Sequence, residues 1–432
     1  MKVPKKARYD VAVIGGGPAG MMAAGRAAEL GASVVLVEKN EGLGKKLLIT
    51  GGGRCNVTND KPDPREFLEK LGKKGKFLFS TFAQHSVKDS LDFFNSRGMG
   101  TKVENEGRVF PVTDSARTVY DLLVRYMKEG GVEVVTGLAA KGFHARDGVI
   151  VGLNTEKDTV VADSYILATG GTSAPETGST GEAFKWLARI GHNVTEPDAA
   201  LVPVKIAEKW VRDLSGVSHQ HVKLALVING KRDTSRIGRM VFAHFGLSGP
   251  LVLNFSKEIR EAMQYAQTGD KIELALDIMP DLDSAALDKR VQEAFATASN
   301  KKLKNSLKGV VVPALVATVL SLAKLDGEKE ANAVTREERL ALVKTLKDMR
   351  MTPTGFLGKE KAIVASGGVK LEEVDFRTMA SRLFPNLYLI GDVLDVERPS
   401  GGYSLQLCWT TGWVAGKSAA KRSKENPSSR QA

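Results

Sequence analysis

The sequence predicts an α/β fold, a doubly wound parallel sheet whose chain is interrupted by an insertion. Three observations predict it. Apolar runs at Tyr9 to Ile14, Tyr165 to Ala168 and Leu387 to Ile390 each end in a glycine-containing turn, the form of strands that deliver loops to a ligand at their carboxyl ends. The first run is followed by an Ala/Met-rich helical stretch, Pro18 to Leu30, and a second apolar run, Ser33 to Val37, closed by Glu38. That βαβ order calls for a parallel sheet covered by helices. Between the second and third runs the texture changes: His221 to Ile228 alternates, Asn229-Gly230 is a hairpin signal, and Lys271 to Ile278 reads as another strand.

Helical patterns follow at Leu282 to Ala298, Pro313 to Leu325 and Arg336 to Arg350, and Thr352-Pro353-Thr354-Gly355 reads as the way back. The first domain is therefore discontinuous, residues 1–195 plus 355–432. The insertion has a strand-rich part, 196–280, and a small helical part, 281–354. The segment from Lys417 to Ala432 reads as frayed.

Composition sets limits. In 432 residues, 62 Lys and Arg against 50 Asp and Glu leave +12, while 42% hydrophobic and 26% charged content describes a globular chain rather than a disordered one. The apolar run between Lys308 and Lys324 contains Pro313 and is too short for a membrane span. Two cysteines, Cys55 and Cys408, build no disulfide framework, and no cluster suggests a metal. A cytoplasmic location is expected. Lys2, Lys5, Lys6 and Arg8 precede an apolar segment as in a secretory signal, but Gly15 to Pro18 interrupts it, so export is not expected.

Gly15-x-Gly17-Pro18-Ala19-Gly20 joins the first strand to the first helix. Gly15 permits the tight turn, Gly17 lets a diphosphate approach the backbone, and Gly20 lets the helix pack on the strand. Glu38 stands where an acid grips a ribose diol, with Lys39 beside it, and its charge repels a 2′-phosphate. Thr169-Gly170 and Gly391-Asp392 add two more strand ends. Asp392 either accepts from a ribityl or ribose hydroxyl or caps a turn. Gly401-Gly402-Tyr403 opens a helix with small residues on one face, and a helix N-terminus there suits the reduced flavin anion. There is no second GxGxxG for a resident nicotinamide domain. These features favour FAD as the cofactor.

The run from Gly44 to Asn59 is dense in glycine and cations. Gly44, Lys45, Gly53, Arg54, Asn56 and Thr58 suit an anion nest better than the alternative, a flexible surface loop. Cys55, in this run, is either a thiol activated by Arg54 or a small buried hydrophobe. Arg108 either orients a substrate carbonyl or makes an ordinary salt bridge. His244 is a further candidate, beside Phe242 and Phe245, where core packing also accounts for it.

GGGPAG (Gly15 to Gly20) with Glu38, TGGGRCNVTN (Thr50 to Asn59) and GRVFP (Gly107 to Pro111), then HFGLSGP (His244 to Pro250), SGGV (Ser366 to Val369) and GDVLD…GGYSLQ (Gly391 to Gln406) follow one another along the chain. They resemble the aminoacetone oxidase/BaiN-like family of FAD-dependent oxidoreductases, which includes ribosomal RNA dihydrouridine synthase-type flavoproteins. The resemblance implies a glutathione-reductase-like FAD domain interrupted by a β-barrel-like domain and a small helical one. The family more often carries Glu where this chain has the shorter Asp392, and Thr where it has Ser366.

Activities across that family span amine oxidation, steroid double-bond reduction and uridine reduction. The resemblance therefore implies a flavoenzyme and leaves the substrate open. One reading is an NADH- or NADPH-fed reductase of a carbon-carbon double bond, with ribosomal RNA as a partner of the basic insertion. Lys205, Lys209, Arg212, Lys223, Lys231, Arg232, Arg236 and Arg239 lie there, and Lys301, Lys302, Lys304 and Lys308 follow. The alternatives are a small-molecule oxidase or reductase acting on amines or enones, and an RNA-binding assembly factor with structural FAD.

Overall fold

The strand Tyr9–Ile14 is apolar and buried along nearly its whole length, as a strand covered on both faces must be. The computed structural model describes residues 4–357 and 364–425. It divides into two compact units, Met1–Ala199 with Ala362–Ala432, and Ala200–Lys361.

In the first unit a seven-stranded sheet has Tyr9–Ile14 in the middle of its five parallel strands, with Val34–Glu38 and Glu133–Thr136 on one side and Ala162–Leu167 and Leu387–Leu389 on the other. These pairings are all parallel. Two short antiparallel strands, Val374–Asp375 and Ala380–Ser381, finish one edge. The order of the parallel strands reverses direction beside Tyr9–Ile14, which is the switch point where such sheets take their ligands.

Helix Pro18–Glu29 has proline in its first turn and nine buried residues, mostly Ala, Met and Gly. It lies against the long helix Tyr403–Glu425. Small residues allow that approach: a Cβ on Gly412 would sit 2.6 Å from the Ala19 carbonyl oxygen, and one on Gly416 2.5 Å from that of Ala23. The C-terminal stretch expected to fray is thus helical to Glu425, with Ala419 and Ala420 in the core. Residues 426–432 lie outside the described part. Among the described residues no helix is long and apolar enough to cross a membrane.

The second unit holds a seven-stranded antiparallel sheet, in the order Met349–Met351, Ile272–Asp277, Ser218–Ile228, Lys231–Ala243, Gly246–Ser248, Val204–Ile206, Pro353–Phe356. Asn229 and Gly230 both take positive φ, 50° and 80°, the backbone that a tight hairpin between right-twisted strands requires. The first and last strands of that order are separated in the chain only by Thr352. The sheet must therefore curl until its two edges approach, which gives it a barrel-like form.

Two expectations are corrected here. Pro353–Phe356 is not the way out of the insertion but a strand paired with Val204–Ile206. Nor do residues 281–354 stand apart as a helical domain. Helices Ser284–Thr297 and Arg336–Lys347 share one core with the sheet, joining Leu287, Val291, Leu342 and Leu346 to Leu224, Leu274 and Leu276. Lys347 Nζ also pairs with the buried Asp277 at 2.6 Å, tying the last helix to a central strand. Their apolar faces are buried on the sheet as well as on one another, so the helices complete the sheet's core.

Candidate functional site

The carboxyl ends of the parallel strands in the first unit open into one cleft, and all its walls belong to that unit. Its floor is the turn after Tyr9–Ile14. Gly15 has φ +103°, and a Cβ there would lie 2.6 Å from the Ala168 carbonyl oxygen. A Cβ on Gly20 would lie 1.9 Å from the Gly15 carbonyl oxygen, so the third glycine lets the helix start directly on the turn. Gly17 differs: a Cβ there would meet nothing within 4 Å. Its face is open to the cleft, above a helix start with no side-chain cap and no acid in its first turn. Those free N–H groups and the positive end of the helix suit a diphosphate.

Glu38 ends the second strand and is buried. Its Oε2 accepts from Gly16 N at 2.7 Å, and its Oε1 accepts from Asn40 N and Asn40 Nδ2, both at 2.8 Å. The carboxylate is thereby fixed at the lip of the cleft with lone pairs left for a diol. Truncation to alanine removes this brace together with the ribose acceptor. Glu38→Ala is expected to weaken FAD binding roughly 100-fold, about 3 kcal/mol, in an equilibrium titration. The facing wall carries Thr169, whose Oγ1 is buried with no protein partner, and the segment Thr177 to Glu182. Lys39 Nζ donates to Thr180 Oγ1 at 2.9 Å and pairs with Glu182 at 3.0 Å.

At the other end of the cleft stand Lys46, Asp392, Ser404, Leu405 and Cys408. Asp392 accepts from Arg398 Nη1 at 2.7 Å and from Lys46 Nζ at 3.3 Å, and Lys46 also donates to Ser173 Oγ at 2.5 Å. Burial alone would raise the Asp392 carboxyl, but the charges of Arg398 and Lys46 outweigh it and hold the group below the usual carboxylate range.

An open glycine face over an uncapped helix start, a braced acid for a diol and an orphaned buried hydroxyl lie along one cleft. The residues present fit an extended adenine dinucleotide. Gly15, Gly17, Pro18, Ala19, Glu38 and Lys39 line it, as do Gly44, Lys45, Thr169, Gly170 and Asp392. Gly20 and Gly391 support the wall from behind, the latter with φ 64° and its N–H donating to Thr411 Oγ1 at 3.1 Å.

The second half of the glycine-cation run is placed differently. Arg54 is not among the cleft residues: it pairs with Glu104 and Asp114, both at 2.5 Å, and its guanidinium lies 4.1 Å over the Phe110 ring. Cys55 is fully buried, and burial pushes its thiol up to about 12 rather than Arg54 drawing it down. Gly53, Asn56 and Thr58 are not among the cleft residues. Thr58 donates to Gln406 Oε1 at 2.7 Å, and Gly402 crosses its backbone so closely that a Cβ would lie 2.4 Å from the Thr58 carbonyl oxygen. Asn56 keeps a buried Oδ1 without a partner. Tyr403 packs on Phe67, ring centroids 4.7 Å apart, while its neighbours Ser404 and Leu405 face the cleft.

Arg108 donates through Nε to the Asn105 carbonyl at 3.0 Å and lies 3.6 Å from Glu106. His244 belongs to the second unit, edge-on to Phe245 with centroids 4.9 Å apart. Cys408, which does line the cleft, is also pushed up to about 12, by burial and then by the charge of Asp392. Both thiols are therefore expected to resist alkylation at neutral pH until the protein unfolds, as intact-mass measurement with a maleimide will report. Helical spacing alone would have marked Ser404, Leu405 and Cys408 as one face once the helix start at Gly402 was recognised. Nothing local marks Lys46 over Lys45.

The HI0933-like protein Rossmann domain matches residues 9–418. The chain belongs to the HI0933-like family. This HI0933-like protein is 31% identical over 418 residues to the ribosomal RNA dihydrouridine synthase of Escherichia coli, covering 96% of this chain and 100% of that one. It is 30% identical over 425 residues to the 3-dehydro-bile acid delta(4,6)-reductase of Clostridium scindens, covering 95% and 99%.

Among solved structures it resembles the open conformation of a flavocytochrome c3 fumarate reductase, with a TM-score of 0.53, 18% identity and coverage of 97% and 79%. The 3-ketosteroid delta1-dehydrogenase of Sterolibacterium denitrificans gives 0.56, 14%, 96% and 100%. The fold is that of FAD enzymes in which an inserted domain interrupts the Rossmann domain, and the protein is an FAD-dependent oxidoreductase.

Proposed function

We propose that this HI0933-like protein reduces a carbon-carbon double bond conjugated to a carbonyl, fed by NADH or NADPH, with uridine of ribosomal RNA as its substrate. The observation that carries the reading is the pair of full-length relatives at 31% and 30% identity. Making dihydrouridine from uridine saturates the C5–C6 bond, and a delta(4,6)-reductase likewise removes ring unsaturation. FAD, when bound and reduced, supplies the hydride for such a step. The chain's part is to grip the adenosine half through Glu38 and the first helix, to hold the far half beside Asp392 and Lys46, and to orient the substrate carbonyl. Arg108 is the group proposed for that last role.

Charge favours the RNA substrate, though less broadly than the sequence count suggests. Arg232 pairs with Asp348, Arg236 with Glu258, and Lys302 and Lys304 with Glu328. Lys205, Lys209 and Lys231 are exposed and carry no ion pair among the described residues, and these are the cations proposed to meet phosphate.

The test is mass spectrometry of ribosomal RNA from a strain lacking the gene, with the purified protein restoring the modification in vitro in the presence of NADH or NADPH. Loss and restoration of one dihydrouridine are expected. Unchanged dihydrouridine contradicts the RNA reading. Rapid anaerobic reoxidation of the reduced enzyme by a steroid dienone would instead support the small-molecule reading that the Clostridium scindens relative favours. Arg108→Ala or His244→Ala variants with normal turnover would remove those residues from the reaction.

A further inference from the structure

Asp392 does not stand alone at its strand end: it is one corner of a buried cluster. Arg398, six residues on, has a side chain only 1% exposed and donates to Asp392 Oδ1, while Lys46, from the helix Lys45–Ile49, donates to Oδ2. A carboxylate offers about four lone-pair sites. These two bonds occupy one site on each oxygen and leave the rest for a ligand in the cleft that Asp392 lines. An arginine so buried has lost most of its solvation by water, and the ionised carboxylate of Asp392 offsets that cost.

We propose that Arg398 is a positioning residue for the cofactor: it fixes Asp392 as an ionised acceptor facing the cleft, and thereby sets FAD affinity without touching FAD. The inference rests on the cleft being the FAD site. Lys46 alone does not do this work, since its ammonium is shared with Ser173 and lies farther from the carboxylate. The titratable groups facing Asp392 are Arg398, Lys46 and, from the C-terminal helix, the Cys408 thiol. Cys408 stays neutral through the neutral range, and it adds no charge there.

The sign of the pH effect follows. Arg398 and Lys46 keep the Asp392 carboxyl low against its burial, so the wild-type protein should bind FAD equally between mildly acidic and mildly alkaline pH. Without Arg398 the burial contribution gains weight, the carboxyl rises, and the acceptor is lost as pH falls through its new value.

The experiment is equilibrium FAD binding to the full chain stripped of flavin, followed by flavin fluorescence from pH 5.5 to 8.5, for wild type, Arg398→Met, Arg398→Lys, Asp392→Asn and the Arg398→Met/Asp392→Asn double variant. Arg398→Met is expected to bind at least about tenfold more weakly at pH 7 and to weaken further toward pH 5.5. Arg398→Lys should recover part of the affinity and the flat profile. Both variants that include Asp392→Asn should be flat, and the double variant no weaker than Asp392→Asn.

Arg398→Met binding within twofold of wild type with the same pH profile overturns the proposal. So does a loss of affinity in Arg398→Met that is independent of pH, because that is what a merely structural arginine gives. Should Arg398→Met not fold, the paired outcomes for Arg398→Lys and the charge-balanced double variant decide in the same way. Failure of the wild-type protein itself to take up FAD would instead overturn the assignment of the cleft, a different result from any of these.

Discussion

Gly20→Ala is expected to cost about 3 kcal/mol of stability, the upper end of overpacking, and to abolish FAD binding. The new methyl would lie 1.9 Å from the Gly15 carbonyl oxygen and 3.2 Å from the Ala168 side chain. Neither neighbour is the movable end of a long chain, so the first helix must back away from the first strand. That shift moves the helix start and the Gly15 turn together. Gly17→Ala separates the two effects. Its methyl meets no protein atom within 4 Å and projects into the cleft, so the variant should unfold at the wild-type denaturant concentration and still bind FAD at least about tenfold more weakly. Urea midpoints combined with FAD titration of both variants check this pair.

Trp409→Ala should be the most damaging core substitution, at about 4 kcal/mol. Trp409 is fully buried on the C-terminal helix, with Phe94 edge-on at 5.2 Å and its Nε1 donating to the Val57 carbonyl at 2.9 Å. Val57 N in turn donates to the Val109 carbonyl at 2.8 Å. The indole therefore fills a core site and anchors the strand that carries Thr58 and Asn59. Truncation opens a cavity and leaves the Val57 carbonyl without this donor. Trp409→Phe keeps most of the volume and loses the hydrogen bond, so it should cost only about 1 kcal/mol. The difference between the two urea midpoints is the measurement.

What the sequence reveals of this molecule is what short spacing encodes. The turn Gly15 to Gly20, its flanking strand and helix, and Glu38 are fixed by neighbours close by in the chain, as is the hairpin at Asn229-Gly230. Features set by distant partners are illegible. Arg54 reads as part of an anion nest, and nothing near it announces its partners Glu104 and Asp114, 50 and 60 residues on. Lys46 and Asp392 are 346 residues apart, and nothing near either predicts the other.

The antiparallel strands Ala140–Arg146, Val149–Thr155 and Thr159–Val160 escape the sequence reading because their polar, glycine-broken pattern is stabilised by packing on the main sheet rather than by propensity. Helix Pro250–Tyr265 escapes it in the same way, hidden behind a glycine-proline turn whose strand-like flank masks it. Tyr403 differs from its expected place by helical rotation: it sits one position before the face that lines the cleft.

The most direct measurement is the flavin content of the purified protein, by visible absorbance and chromatography of the released cofactor, before and after incubation with FAD. A cleft built as described predicts FAD bound in a molar ratio close to one per chain, with Glu38→Ala and Gly17→Ala retaining much less of it. A folded wild-type protein that is colourless and takes up no FAD would contradict the account.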